Sequence, residues 1–377
     1  MGKVYFGDVV NRIDGNEDRL ETSRLYYVGG EHYDSESLEI PRFGLIKEKD
    51  LGYQFHYPFE VGDVLFMTKN PHLKKAGRVN FQGICSIASF VLRSADETVL
   101  LQEYLPIIMQ SDDLWNYLEA NKSGSVNYFI TWKTLSKYEF DLPSIEKQKS
   151  IANVLWAIHE AKKANQELIT QTQELARAEF SNMISTTKTG TIVKLGSVLT
   201  QYKKTEKIID TKSEKYISVP LYGKGIVERD VSAEEIKPFS GVRIKSGQFV
   251  YSRIWVWKGA SGIVPESLNG SVVTNEFPTF DIDRERINET FLLYLTQDET
   301  FLNELSGNRL GSTTKQRVKE STFIGTSITL PSMEEQIHFE SIARKVDENI
   351  QALNIANENL DAMMKSLINQ SSNEEVE

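Results

Sequence analysis

The sequence predicts a mixed α/β protein: two globular domains separated by a pair of long coiled-coil helices, built as an internal tandem repeat. Three observations predict it. The phrase Leu142-Pro143-Ser144-Ile145-Glu146-Lys147-Gln148 returns 188 residues later as Leu330-Pro331-Ser332-Met333-Glu334-Glu335-Gln336. Each copy opens a long stretch without Pro or Gly. The segments ahead of the two copies match faintly, in the same order and at the same spacing, as repeats of one architecture do. The resulting boundaries are 1–141 for the first domain and 142–187 for the first helix, then 188–329 for the second domain and 330–377 for the second helix.

The first domain opens on Val4–Val10, which aligns with Val193–Leu199, and Tyr27-Val28 aligns with Tyr216-Ile217. Gly62 and Gly247 each precede an alternating apolar run, the pattern of a strand that enters from a tight turn. Leu101–Leu118 and Phe291–Leu305 read as short helices ahead of the pairs Gly124-Ser125 and Gly311-Ser312. In the long stretches the Pro suits a first helical turn, where its missing N–H costs nothing. Ile151, Val154, Ile158, Ala161, Leu168 and Leu175, with Asn165 and Thr172 between them, step at helical spacing. Phe339, Ile342, Val346, Ile350, Leu353, Leu360, Met363 and Leu367 do the same. Steps of three, four and seven make a coiled-coil seam. A helix of about 40 residues is ~60 Å long, so pairing along its length is expected rather than burial inside one domain.

Composition bounds the class. The 377 residues allow two to three domains at the usual ~150 residues each, and 40% apolar with 10% aromatic residues is ample for real cores. The single cysteine, Cys85, excludes a disulfide scaffold and an all-cysteine metal cluster, and reads as a small buried apolar residue. No apolar run reaches the ~20 residues of a membrane helix, and Arg12 and Arg19 interrupt the N-terminus. No signal peptide and no membrane association are expected, and the location expected is cytoplasmic.

A net charge of −10 argues against a polyanionic partner until it is divided. Residues 1–140, 141–185, 186–330 and 331–377 carry −5, −1, +3 and −7. Four windows lack acids altogether. Asp63 to Asp96 holds Lys69, Lys74, Lys75, Arg78 and Arg93, and Glu119 to Glu139 holds Lys122, Lys133 and Lys137. Glu235 to Glu266 holds Lys237, Arg243, Lys245, Arg253 and Lys258, and Glu304 to Glu320 holds Arg309, Lys315, Arg317 and Lys319. The windows fall at equivalent places in both repeats. Neutralising phosphates needs such clusters. Polar neighbours such as Asn70, Asn80, Gln82, Asn127, Thr313, Thr314 and Gln316 are candidates for base edges. The residues singled out for DNA contact are Lys69, Lys74, Lys75, Arg78, Lys122, Arg253, Lys258, Arg309, Thr313, Thr314, Lys315, Gln316 and Arg317. Alternation places Arg253, Trp255 and Trp257 on one strand face, and the two indoles are expected to close a core rather than stack on bases.

Catalytic signatures are missing. The sequence contains no Gly-x-Gly-x-x-Gly, no Gly-x-x-x-x-Gly-Lys-Ser/Thr, no His-Glu-x-x-His and no Cys-x-x-Cys. Asn70-Pro71-His72 is only a fragment of the amino-methyltransferase signature and reads as a turn. The five histidines (His32, His56, His72, His159 and His338) show no metal-ligand spacing. No catalytic and no metal-ligating residue is expected.

The duplicated Leu-Pro-x-x-Glu-x-Gln opening of a long helix, each time after a divergent domain of about 140 residues, resembles the specificity subunit of type I restriction–modification enzymes. The resemblance spans the whole chain. It implies two α/β target-recognition domains separated by an antiparallel pair of long coiled-coil helices, each domain reading one half of a split, non-palindromic double-stranded DNA site. It implies two methyltransferase subunits that methylate adenine, and motor–nuclease subunits that restrict. S-adenosylmethionine, ATP and Mg²⁺ then belong to those partners, with no cofactor in this chain. The chain opens directly at the first repeat, so no N-terminal extension is expected to help close the assembly. Two other readings stay open: a protein-interaction scaffold of two β-rich modules on a coiled coil, and an unrecognised DNA-modifying enzyme.

Overall fold

The computed structural model describes residues 2–125, 127–231, 235–310 and 316–373. The first repeat opens with β1 (Lys3–Tyr5), α1 (Phe6–Val9) and β2 (Val10–Ile13). It continues through β3 (Tyr26–Val28), β4 (Gly44–Leu45), β5 (Phe55–Phe59), β6 (Val64–Met67), β7 (Ala76–Arg78), β8 (Gly83–Ser86) and β9 (Ser89–Ser94). Then come α2 (Leu105–Ile108), α3 (Asp112–Ala120), α4 (Trp132–Leu135), β10 (Glu139–Asp141) and the long α5 (Ile145–Thr186). The second repeat runs β11 (Thr191–Lys194), β12 (Leu199–Tyr202), β13 (Thr205–Ile208), β14 (Ile217–Ser218), β15 (Val227–Glu228) and β16 (Phe239–Arg243). After β17 (Phe249–Tyr251), β18 (Ser261–Ile263), β19 (Val272–Val273) and β20 (Thr279–Ile282) follow α6 (Glu289–Leu295) and α7 (Glu299–Gly307). It closes with α8 (Glu320–Gly325), β21 (Ser327–Leu330) and the long α9 (Met333–Asn373). The two single helices expected over Leu101–Leu118 and Phe291–Leu305 are each broken in two. Ser111 and Asp298 cap the second piece of each through side-chain oxygens that accept N–H bonds.

The chain forms two compact units. One contains residues up to 167 together with the segment from 353 onward, and the other contains 168–352. Each long helix is therefore shared between units, rather than standing apart from both domains. In the first unit the sheet order β2-β9-β6-β7 is antiparallel throughout, and β4-β3-β8-β5 carries a parallel β3–β8 pair. In the second unit β12-β20-β17-β18 repeats the first of these orders. The pairs β1-β10 and β11-β21 likewise repeat one another. Gly62 at φ 93° and Gly247 at φ 78° make the turns ahead of β6 and β17, a backbone conformation that strains any side chain. Gly7 and Gly196 lie flush against α4 and α8. A Cβ on Gly7 would come 2.7 Å from the Ser136 Cβ, and one on Gly196 would come 3.1 Å from that of Ile324.

The recurrent phrase has a physical explanation. Gln148 is fully buried and accepts the Leu101 N–H at 2.9 Å, while its amide donates to the carbonyls of Val99 and Pro143, both at 2.8 Å. Gln336 is equally buried; it accepts the Asn288 N–H at 2.8 Å and donates to Arg286 at 3.2 Å and Pro331 at 2.9 Å. One side chain thus satisfies three backbone groups, the Pro carbonyl buried and the other two part-buried, and it ties the helix start to its domain. Glu146 and Glu334 are exposed in the first helical turn, where an acid favours the helix dipole.

Within each unit the two long-helix segments run antiparallel. In the first unit Lys162 ion-pairs with Asp361, and the Asn165 amide donates to Asn357 at 2.9 Å. In the second the Phe180 and Phe339 rings meet at 5.3 Å and Thr187 donates to Glu335 at 3.0 Å. The helices also supply core residues. Ala152, Leu155, Ile158, Met364 and Ile368 join the first unit's main core, and Phe180, Phe339 and Ala343 join the second's. The expected seam needs a correction. Val154, Leu168, Leu175 and Met363 are 48%, 49%, 58% and 53% exposed, and Leu155, Ile169, Ala176 and Met364 are buried in their stead. Apolar residues occur side by side at all four of these places, so spacing alone satisfied two adjacent registers, and packing on the domains selected one. Among the described residues no helix is long and apolar enough to cross a membrane.

Candidate nucleic-acid interface

In the first unit two acid-free windows meet at one tip. The chain leaving β6 bends at Asn70, which adopts a left-handed conformation at φ 56°, and Pro71–Leu73 form a single 3-10 turn. Opposite it, Ser123 and Phe129 pair through N–H···O bonds of 2.9 and 3.0 Å, closing a hairpin after α3. The loop and hairpin are joined: Lys69 bridges to Phe129, the Asn70 N–H donates to Tyr128 at 3.0 Å, and the Ile130 N–H donates to Thr68 at 2.8 Å. Lys69, Asn70, His72 and Asn127 are exposed there, as are the rings of Tyr128 and Phe129. The Lys122 ammonium stands 4.2 Å over the Tyr128 ring and pairs with Glu119.

The second unit repeats the frame. The chain leaving β17 is tied to the segment after the Leu310–Arg317 pair, because the Val318 N–H donates to Arg253 at 2.9 Å, as Ile130 does to Thr68. Leu310 and Arg317 pair through bonds of 2.9 and 2.8 Å. The side chains differ completely. The Lys258 ammonium lies 5.1 Å over the Trp255 ring, and the Arg309 guanidinium lies 5.1 Å over that of Trp257. The two indoles are 5.8 Å apart. Tyr222, 68% exposed, joins this tip through its N–H, which donates to Lys258 at 2.8 Å.

The expectation of a strand through Arg253, Trp255 and Trp257 is overturned. The strand ends at Tyr251, and Val256–Lys258 form a 3-10 turn closed by Gly259 at φ 72°. Trp255 caps this turn and Trp257 lies within it. Trp257 packs against the core as expected, whereas Trp255 is 43% exposed.

Other residues singled out from the sequence are engaged within the protein. Lys74 pairs with Glu36 and Asp112 at 2.7 and 2.9 Å. The Lys75 ammonium donates to the Gly30 carbonyl at 2.8 Å. The Arg78 guanidinium stacks 3.8 Å from the Trp156 ring on α5. Arg253 pairs with Glu320, and Arg317 pairs with Glu276 at 3.0 Å. Arg309 donates to the Ser306 carbonyl at 2.6 Å. Gln316 is half-buried beside Arg317. Thr313, Thr314 and Lys315 lie outside the described residues. The tip residues that composition did not single out are Tyr128, Phe129 and Tyr222. An exposed aromatic beside a cation was their only available signal.

An open 660 Å³ cavity in the first unit lies among the 34–41 loop, α5 and the end of α9. Its centre is Glu39, nearly buried, with His159 at 3.3 Å and Lys163 at 3.7 Å. The hydrogen bond from His159, then the charges of Lys163 and Arg78, hold the Glu39 carboxyl below its ordinary value against the opposing effect of burial. Glu39, His159 and Glu160 bring possible metal-ligand atoms within 4.8 Å of one another. The lysine at the same carboxylate makes the group an ion-pair network rather than a cation site.

Residues 7–173 match the family model for the type I restriction modification DNA specificity domain. Two solved structures share the fold. A chain from work on complex assembly and conformational transition of the type I R-M system aligns at TM-score 0.62 and 16% identity, over 100% of this chain and 98% of that one. The type I restriction-modification S subunit of M. genitalium aligns at TM-score 0.51 and 11% identity, over 100% and 96%. No protein of curated function matches the sequence.

Proposed function

We propose, from the match of residues 7–173 to the family model for the type I restriction modification DNA specificity domain, that the chain is a specificity subunit whose two loop clusters each read one half of a bipartite, non-palindromic DNA site. As a specificity subunit the chain recognises DNA and is not the catalyst. Residues 1–141 and 188–329 serve as the reading domains, and 142–187 and 330–377 as the helical parts between them. Two methyltransferase subunits then modify adenine, and motor–nuclease subunits restrict unmodified DNA, all in the cytoplasm. S-adenosylmethionine, ATP and Mg²⁺ are held by those partners.

The observation that carries this reading is the duplicated frame with unlike tips. A cationic loop is pinned to the paired segment after the short helices by the same backbone bond in both units, Ile130 to Thr68 and Val318 to Arg253, and each tip exposes aromatic rings. Identical frames present two surfaces in the same manner; different side chains make those surfaces select different bases. The contacts proposed for phosphate are Lys69, Lys122 and Lys258, with Arg309 beside them. Thr313, Thr314 and Gln316 remain candidates for base contact, with Lys315 a basic anchor among them.

The test is the methylation pattern. Co-expression with its methyltransferase subunits should give methylated adenines in one two-part motif with a fixed gap. A substitution at Gln316 should change only one half of it. A contiguous palindromic motif, or a second-unit change that alters both halves, would overturn the two-reader function.

A further inference from the structure

Trp255 is the exposed tryptophan of this protein among the described residues, and its surroundings make it a presented side chain rather than a stray one. Its backbone is pinned: the Trp255 N–H donates to Ser252 at 3.1 Å, and its carbonyl accepts the N–H groups of Lys258 and Ala260 at 2.8 and 3.2 Å. The next residue, Val256, is fully buried and anchors the turn in the core. A neighbouring tip residue, Leu310, is 52% exposed on the hairpin that faces this loop. Cations flank the apolar tip, Lys258 over the Trp255 ring and Arg309 over that of Trp257. A rigid indole with two rotatable bonds loses little entropy when it is covered. Cations at its margins suit an occupant that offers an apolar patch between anionic groups. Duplex DNA is such an occupant, with base edges and thymine methyls lying between two lines of phosphate.

We propose that Trp255 is a specificity-determining residue of the second unit, laying its ring on base edges while Lys258 and Arg309 hold the adjacent phosphates. The proposal rests on the DNA-reading function above and adds to it an apolar base contact.

The experiment uses the full chain assembled with its methyltransferase subunits and a 30-base-pair duplex containing the motif mapped for the wild-type complex. The difference in emission between wild type and Trp255→Phe isolates this indole from the other four. Binding should shift or quench that difference signal. Trp255→Ala should weaken binding to the motif at least about tenfold, leave a scrambled duplex within about twofold, and relax methylation in one half of the motif. Trp255→Phe should recover most of the affinity. Lys258→Ala should weaken both duplexes alike and lower the salt slope by about one. If the wild-type complex shows salt-dependent binding and a two-part motif, but the Trp255 signal and the Trp255→Ala pattern do not move, this proposal fails and the reading function stands. If wild type has no salt-dependent DNA affinity, the reading function fails with it. Emission that instead changes on adding the methyltransferase subunits without DNA would assign the indole to a protein contact and overturn the proposal.

Discussion

The two loop clusters share a frame and share almost nothing else. In the first unit the tip carries Tyr128 and Phe129 with Lys69 and Lys122, and in the second it carries Trp255, Tyr222 and Leu310 with Lys258 and Arg309. The frame is made of backbone bonds, turn glycines and a buried glutamine, which depend little on neighbouring side chains. The tip is made of exposed side chains, which can change without cost to the frame. In each repeat the groups that hold the frame are separate from the side chains that the tip exposes.

The strongest challenge to a common frame is removal of its glutamines. Gln148→Ala and Gln336→Ala each leave one buried and two part-buried backbone groups without this partner and should each cost about 2–3 kcal/mol, nearly equally. Urea unfolding followed for both variants checks this, and losses differing by more than about 1 kcal/mol would show that the two anchors are not equivalent. The helix seam gives a similar contrast at single-residue resolution. Ile169→Ala should cost about 2–3 kcal/mol, whereas the half-exposed Leu168→Ala should stay within about 0.5 kcal/mol in the same unfolding measurement.

The network at Glu39 sharpens the difference between the units through pH. Its carboxyl titrates below its ordinary value of 4.5 because His159 first, then Lys163 and Arg78, favour the charged form. A depressed folded value means stability that is present above the unfolded value and lost as pH falls through the folded one. Glu39→Gln should therefore cost about 1–2 kcal/mol at neutral pH and flatten the acid limb below about pH 4.5. Thermal melting from pH 7 to pH 3 reads both. The smallest effects belong to the tips. Lys69→Ala should reduce the salt slope of DNA binding by about one without changing stability. Lys74→Ala, whose ammonium is held by Glu36 and Asp112, should instead lower stability by about 1 kcal/mol and leave the slope unchanged. The same result for both lysines would erase the distinction between tip and frame.

The sequence by itself determined the repeat, the long helices, the turn glycines and the mixed α/β class. These rest on local rules: a Pro at a helix start, a spacing of three and four, a glycine where φ must be positive. It also located the two basic windows that form each tip. Tertiary structure alone decided which cations remain at the surface. A window free of acids in sequence is not free of them in space. Glu36 and Asp112 reach Lys74 from 38 residues away on either side, and Glu320 reaches Arg253 from 67 residues away. Packing also chose between neighbouring residues that local spacing left equivalent, burying Ile169 and exposing Leu168, and burying Val256 while turning Trp255 outward. Local rules fix which residues lie on one element. Which side of that element meets another, and which charges meet there, depends on chain brought in from far along the sequence.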